Sequence, residues 1–391
     1  MNASEPCPPL HRLRFDDPGP PRRTTLADGT RAWLLTRYAD VYQVLDDTRF
    51  RRSPPRGSNA PLPIAPNLAN SPDALPRQEG AEHLRLRHLF QRMLNPRAVG
   101  HMEPWVVDAI DQVLDELVER GSPADLVDGF TNPLPIMVMS RLLDIPDVNE
   151  EQLLRWAAHA LADTTRDAAE VAVATRELAE FTADIVARRR RTPGEDLVSV
   201  VVKAADRDGS VPERQLIALV NLLVVGGHHT TSTMLGNILL FLLAERPQDW
   251  ARLGADETAA GALTERLLHL IPVGDPQRPR PLYATEDAEI CGVTIRSGDI
   301  VMADRLTASH DPEAFPAPFS GLFTPLENPT LAFGAGPHYC PGAWLARTEL
   351  RHGLHRLAAR LPGLRLTTPP NATEWRSGSI TRSPLHLPAT W

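Results

Sequence analysis

One cysteine in this chain stands in a setting suited to a metal ligand. Residues 331 to 347 read LAFGAGPHYCPGAWLAR, with Cys340 six residues after Gly334, four after Gly336 and two before Gly342. Glycines so placed admit positive φ or let the backbone lie close against a flat ligand. Ala343, Ala346, Leu350, Leu354 and Leu357 then recur at helical spacing, which puts Cys340 just ahead of a helix N-terminus. There the helix dipole and the unpaired N–H groups of the first turn favour a thiolate, a soft ligand for iron. A lone cysteine is more often a small buried hydrophobe. The company of Phe333, His338 and the three glycines is what separates this one from that reading.

The string Phe333-Gly-x-Gly-x-His338-x-Cys340-x-Gly342 resembles the haem-ligand loop of the cytochrome P450 monooxygenases. The resemblance implies haem b with the Cys340 thiolate as axial ligand. It further implies that Phe333 packs near the sulfur, that Gly334, Gly336 and Gly342 let the loop pass under the porphyrin, and that His338 meets a propionate. Pro341 has no N–H, so hydrogen bonds to the sulfur would come from Gly342 and Ala343.

Two further stretches match the family residue by residue. In Glu82 to Leu94, EHLRLRHLFQRML, His83 and Arg87 lie four apart on one helical face. Spacing alone fits a solvated basic face equally well; the resemblance makes both partners of haem propionates. Gly226-Gly-His-His-Thr-Thr231 lies in the middle of a long apolar pattern and resembles the oxygen-activating segment. Two helix-interior glycines cost roughly 1 kcal/mol each, so a kink against a planar cofactor at Gly226 is the expected gain. Thr230 occupies the alcohol position, while His229 stands where the family has an acid. A histidine there either relays protons, its ordinary pKa being close to neutral, or is simply packed.

The chain departs from the family at another buried network. A Glu-x-x-Arg pair closed by a later arginine is replaced by Arg266, His269 and Ser320, and Glu265 with His269 is a candidate substitute pair. Losing every member of a buried ion network is more tolerable than losing one. Where a propionate-binding arginine is usual stands Leu282, with Arg280 as the candidate replacement.

The elements that must hold these groups read as mainly α with small β-sheets. Residues 1 to 30 form an irregular arm, and 31–391 one helical haem domain, without linker or repeat. Trp33 to Phe50 is a strand and an amphipathic helix. Residues 51 to 77 are proline-rich, a loop that by resemblance roofs the substrate pocket. Between 101 and 210 helices alternate with breaks at 124–126 and at Pro133 and Pro135, and Arg188 to Arg191 mark a helix end. By resemblance, residues 151 to 191 are the mobile helix pair over the substrate. Ser210-Val-Pro-Glu213 reads as a capping box opening a buried helix that runs to Glu245. Strands follow in 279–302, and 363–391 supply a last hairpin, with Ile380 to Ser383 near the substrate.

Composition narrows the class. With 41 basic and 49 acidic residues the net charge is −8, which argues against a nucleic-acid partner. Cys7 and Cys291 are too scattered for a disulfide framework, and the N-terminus lacks a signal core or membrane anchor, so a cytoplasmic monomer is expected. The resemblance implies a class I-type bacterial enzyme fed by ferredoxin and ferredoxin reductase, with Arg85, Arg92 and Arg97 as a candidate docking patch. Its substrate would be a small-molecule or peptide natural product, oxidised by hydroxylation or a related C–H oxidation. Aryl or ring crosslinking is the enzymatic alternative; a haem-binding sensor without turnover is the alternative from another class.

Overall fold

A computed structural model of the chain describes residues 17–26, 28–54, 70–145, 149–163, 165–274, 281–316 and 321–391. It opens with β1 (Arg22–Thr25), β2 (Arg31–Leu35), α1 (Tyr38–Asp46) and β3 (Phe50–Arg51). Next come α2 (Gly80–His88), α3 (Pro96–Arg120), β4 (Ala124–Asp125), α4 (Pro133–Leu143), α5 (Glu150–Ala160), α6 (Ala168–Arg191), α7 (Leu197–Asp208) and α8 (Glu213–Glu245). After α9 (Pro247–Ala255) and α10 (Glu257–Leu270) lie β5 (Pro281–Ala284), β6 (Ala288–Ile290), β7 (Val293–Ile295) and β8 (Ile300–Ala303). The chain closes with α11 (Arg305–Ala308), α12 (Ala343–Arg360), β9 (Arg365–Leu366) and β10 (Pro388–Thr390). The main sheet has the order β1-β2-β8-β5-β3, with β2 and β8 parallel and the other pairs antiparallel.

The helix α8 is the axle. It is 33 residues long and buries side chains from Gln215 to Leu243 on nearly every face, as its apolar sequence demands. Helices α4, α5, α6 and α12 pack around it, and Phe130, Leu134 and Leu235 close over Gly353 of α12, where a Cβ would come within 3.1 Å of Leu134. Polar caps set several boundaries: the side chains of Asn95, Asp167, Asp196 and Asp256 accept first-turn N–H groups of α3, α6, α7 and α10.

Several sequence expectations change here. Ser210 does not cap α8. Its hydroxyl turns back to the Asp208 carboxylate after the left-handed Gly209, and Pro212 takes the N-cap position without a side-chain bond. The helical segment read from Glu82 to Leu94 is helical only to His88, passes through turns, and gives way to α3 at Pro96, which Asn95 caps. Pro133 and Pro135 open α4 rather than breaking a helix, since first-turn N–H groups need no intrahelical partner. The glycine pair leaves α8 continuous, and the Gly227 gap is filled by Met139, whose sulfur lies 2.3 Å from where a Cβ would be. Arg280, Ser320 and Cys7 lie outside the described residues, as do 55–69 of the proline-rich loop and 1–16 of the arm, whose later part is not irregular, since Arg22–Thr25 pair with β2 as β1.

Candidate active site

The loop before α12 is shaped by its own backbone. Gly334 and Gly336 have φ of 74° and 63°, and the Cys340 N–H donates to the Phe333 carbonyl at 2.9 Å. A Cβ on Gly336 would sit 2.5 Å from the Asp46 Cα, so this glycine serves the packing of the loop on the end of α1. Gly342 differs: its φ is −85°, it is the N-cap of α12, and a Cβ there would meet nothing within 4 Å. Burial pushes the Cys340 thiol above its ordinary pKa. The Gly342 N–H and the guanidinium groups of Arg87, Arg347 and Arg52 oppose that rise.

Arg347, one turn into α12, ties this loop to α10. Its Nε and Nη2 donate to the Glu265 carboxylate at 2.6 and 3.1 Å, and its Nη1 donates to the Tyr339 hydroxyl at 2.9 Å. The same guanidinium lies 4.5 Å from the Phe333 ring centre. Glu265 therefore pairs with Arg347 and not with His269. The His269 ring instead lies against Phe315, with centroids 4.1 Å apart.

His83, Arg87 and His338 converge from α2 and the cysteine loop. The His83 and His338 rings are 4.2 Å apart, and Arg87 Nη1 donates to the Tyr339 carbonyl at 2.7 Å. His338 Nε2 meets the Glu79 carboxylate at 3.0 Å, whose other oxygen accepts the Arg52 N–H at 2.7 Å. Burial, with the positive fields of His338 and Arg87, lowers the His83 pKa to about 4, so His83 is neutral near pH 7.

On α8 the Thr230 hydroxyl donates to the Gly226 carbonyl at 2.7 Å, one turn back. A Cβ on Gly226 would touch only Leu222, at 3.7 Å. His229 is 5 % exposed, and its Nε2 lies 2.8 Å from the Thr381 hydroxyl. Burial, then His228 and Arg376, lower its pKa to about 3. A cationic His229 is thereby excluded near neutral pH.

In place of the family's buried Glu-x-x-Arg pair stands a single buried cation, whose carboxylate partner Glu327 is nearly half exposed. Arg266 is 1 % exposed and reaches the loop ahead of the cysteine, donating to the Pro325 carbonyl at 3.0 Å, to the Thr324 carbonyl at 3.4 Å and to Glu327 at 3.4 Å. The helix supplies the cation and the loop the acid. Leu282 is buried in β5.

A family model described as cytochrome P450 matches residues 267–384. The nocardicin C N-oxygenase of Nocardia uniformis subsp. tsuyamanensis is 38% identical over 97% of this chain and 94% of its own length. A cytochrome P450 hydroxylase from the leinamycin pathway of Streptomyces atroolivaceus superposes with a TM-score of 0.87 at 34% identity, covering 100% of this chain and 98% of that one. A cytochrome P450 with biaryl coupling reactivity gives 0.85 at 34% identity, over 95% and 93% of the two chains. The chain belongs to the cytochrome P450 family.

As a P450 it is an oxidoreductase of the monooxygenase class, kin to bacterial enzymes of natural-product biosynthesis, and its cofactor is haem with a cysteine thiolate as axial ligand. That places it with enzymes and not with haem sensors. The residues fit the group. A thiol whose pKa burial raises is a poor free nucleophile but becomes a thiolate on iron, and the guanidinium groups around Cys340 favour that charge. Sequence reasoning missed Arg52, Glu79, Tyr339 and Arg347 as parts of the site, gave Glu265 the wrong partner, and placed Thr381 only within a stretch near the substrate. Only Arg347 carried a usable signal, lying one helical turn beyond the cysteine loop. Among the described residues no helix is long and apolar enough to cross a membrane.

Proposed function

We propose that this P450 oxidises a small natural-product substrate by hydroxylation or a related C–H oxidation, with Cys340 as the haem ligand. When bound, the haem supplies activation of dioxygen and attack on the substrate, tuned by its thiolate. The observation that carries the assignment is the packing of α2 on the cysteine loop, where the His83 and His338 rings lie 4.2 Å apart, Arg87 donates to the Tyr339 carbonyl at 2.7 Å, and the Arg87 charge favours the Cys340 thiolate.

His83, Arg87 and His338 hold the propionates, and Arg52 takes the place of the arginine that Leu282 lacks; Arg280 is a second candidate on sequence grounds. The Gly342 N–H tempers the sulfur's donation. Gly226 leaves room at the face of α8, Phe333 packs beside the ligand loop, and Gly334 and Gly336 hold its turn. Thr230 and His229 hold water where oxygen is activated. Electrons come from a ferredoxin and its reductase through the surface bearing the exposed Arg85, Arg92 and Arg97. We infer a cytoplasmic monomer with one haem domain, which begins before residue 31 because β1 (Arg22–Thr25) is the edge strand of its main sheet.

Reduced, carbonylated wild-type protein should display the red-displaced Soret band of thiolate ligation, and Cys340→Ser should abolish it. Retention of that band in the serine variant would end the assignment. The likeness to a biaryl-coupling P450 favours crosslinking of an aromatic substrate as a second reading. Product mass separates the two: insertion adds one oxygen atom, and coupling removes two hydrogens.

A further inference from the structure

The hydrogen bonds around His229 have a direction, and that direction names its tautomer. Ser379 Oγ lies 3.2 Å from the Leu161 carbonyl, which can only accept, so the serine proton points there. Ser379 Oγ then serves as acceptor for Thr381 Oγ1 at 2.9 Å and for the Thr381 N–H at 3.2 Å. With its single proton on Ser379, Thr381 Oγ1 must accept from His229 Nε2, 2.8 Å away. The reverse orientation keeps one hydrogen bond fewer in a buried site, since it abandons the Leu161 contact. Thr381 is 6 % and Ser379 9 % exposed. The turn carrying them is pinned elsewhere too: Ile380 N–H donates to Leu161 at 2.9 Å, Arg382 N–H to Val273 at 3.1 Å, and Asn237 to the Arg382 carbonyl at 2.8 Å.

We propose that Thr381, oriented by Ser379, is a positioning residue that locks His229 as the neutral Nε2–H tautomer, leaving Nδ1 as a bare acceptor for water beside Thr230. The proposal rests on the oxygen-activating assignment of α8. A neutral imidazole acceptor then does part of what a carboxylate does, without its charge. The groups facing His229 are His228 on its own helix and Arg376 from the C-terminal segment, and both disfavour a second proton on the ring. His228 is the internal contrast. Its Nδ1 sits 2.7 Å from the Val224 carbonyl, so it must carry the proton on Nδ1.

The test is long-range proton–nitrogen correlation on ¹⁵N-histidine holoenzyme in its reduced carbon monoxide form, with signals assigned by their loss in His229→Gln and His228→Gln. His229 should give the Nε2–H pattern and His228 the Nδ1–H pattern, both unchanged from about pH 5.5 to 8.5. Thr381→Val should shift His229 towards Nδ1–H, and Thr381→Ser should restore it. With ferredoxin, reductase and NADPH, the valine variant should release at least about twofold more peroxide per NADPH and the serine variant no more than wild type. An Nδ1–H His229 in the wild type, an unchanged pattern in Thr381→Val, or unchanged peroxide release despite an altered pattern overturns the proposal. The thiolate spectrum of each variant keeps such a failure distinct from a failure of the P450 reading.

Discussion

The cysteine loop and the middle of α8 both furnish the site, yet they are held by opposite means. Around Cys340 the fixing contacts are charged: Arg347 with Glu265, His338 with Glu79, Arg87 on the Tyr339 carbonyl and Arg266 with Glu327. Around Thr230 they are neutral: hydroxyls on helix carbonyls, and two histidines that burial keeps uncharged. Charge gathers around the cysteine loop, whereas Gly226 to Thr231 contain no Asp, Glu, Lys or Arg. Arg266 extends this lesson, because the loop ahead of the cysteine is again clamped by a buried cation, here chiefly through the Thr324 and Pro325 carbonyls.

Removing that clamp is the strongest way to break the contrast. Arg266→Ala strips partners from the Thr324 and Pro325 carbonyls and empties one of the largest fully buried side chains. The expected loss is about 3 kcal/mol in urea unfolding, with weaker haem retention. A comparable substitution of Thr230→Ala on the neutral side should cost about 1 kcal/mol or less, because its partner carbonyl already belongs to the helix ladder. If both variants lose stability equally, the division between the two regions fails.

The loop's glycines sharpen the same division. Gly336→Ala meets the Asp46 Cα at 2.5 Å with φ at 63°, so about 2 kcal/mol of destabilisation is expected whether or not haem is present. Gly342→Ala meets no protein atom within 4 Å and should leave unfolding of the haem-free chain within about 0.5 kcal/mol of wild type. Any loss of haem affinity in that variant reports the cofactor side of the loop. Equal destabilisation of the haem-free chains would contradict the geometry.

How much of this was legible depended on range. The cysteine motif, the His83 and Arg87 pair, the strand and helix of 33–50 and the long buried helix are local patterns, and each appears where its spacing put it. Partners far apart in sequence left no such trace: Glu265 with Arg347, Arg266 with Glu327 and His229 with Thr381 are joined only by tertiary folding. Local chemistry also misled where two local solutions competed. Ser210 could cap α8 or close the Gly209 turn onto Asp208, and only the packed chain decides. Gly336 looked like a residue making room for a cofactor because a glycine in a motif does not reveal which neighbour needs the space.

The smallest expected effect concerns acid. His228 has its pKa lowered by burial from 6.5 to about 4. Below pH 6.5 the unfolded chain takes up a proton at this residue that the folded chain refuses until about pH 4, so stability falls as pH drops through that window. From pH 7.5 to 5.5 this single group should remove about 1.4 kcal/mol. His228→Gln should recover that amount in the difference between urea midpoints at the two pH values, whatever its constant effect on stability. Glu79 behaves otherwise. Although burial opposes it, the His338 hydrogen bond and charge hold its carboxyl below the ordinary range, so its contribution is present above the unfolded pKa and fades only as pH falls through the lower folded value. Glu79→Gln should therefore not flatten the change between pH 7.5 and 5.5, and should if anything steepen it, because the lost carboxylate holds the His338 pKa up against burial. Were it to flatten that change as much as His228→Gln does, the acid sensitivity would belong to the charged loop and the contrast between the two regions would be reversed.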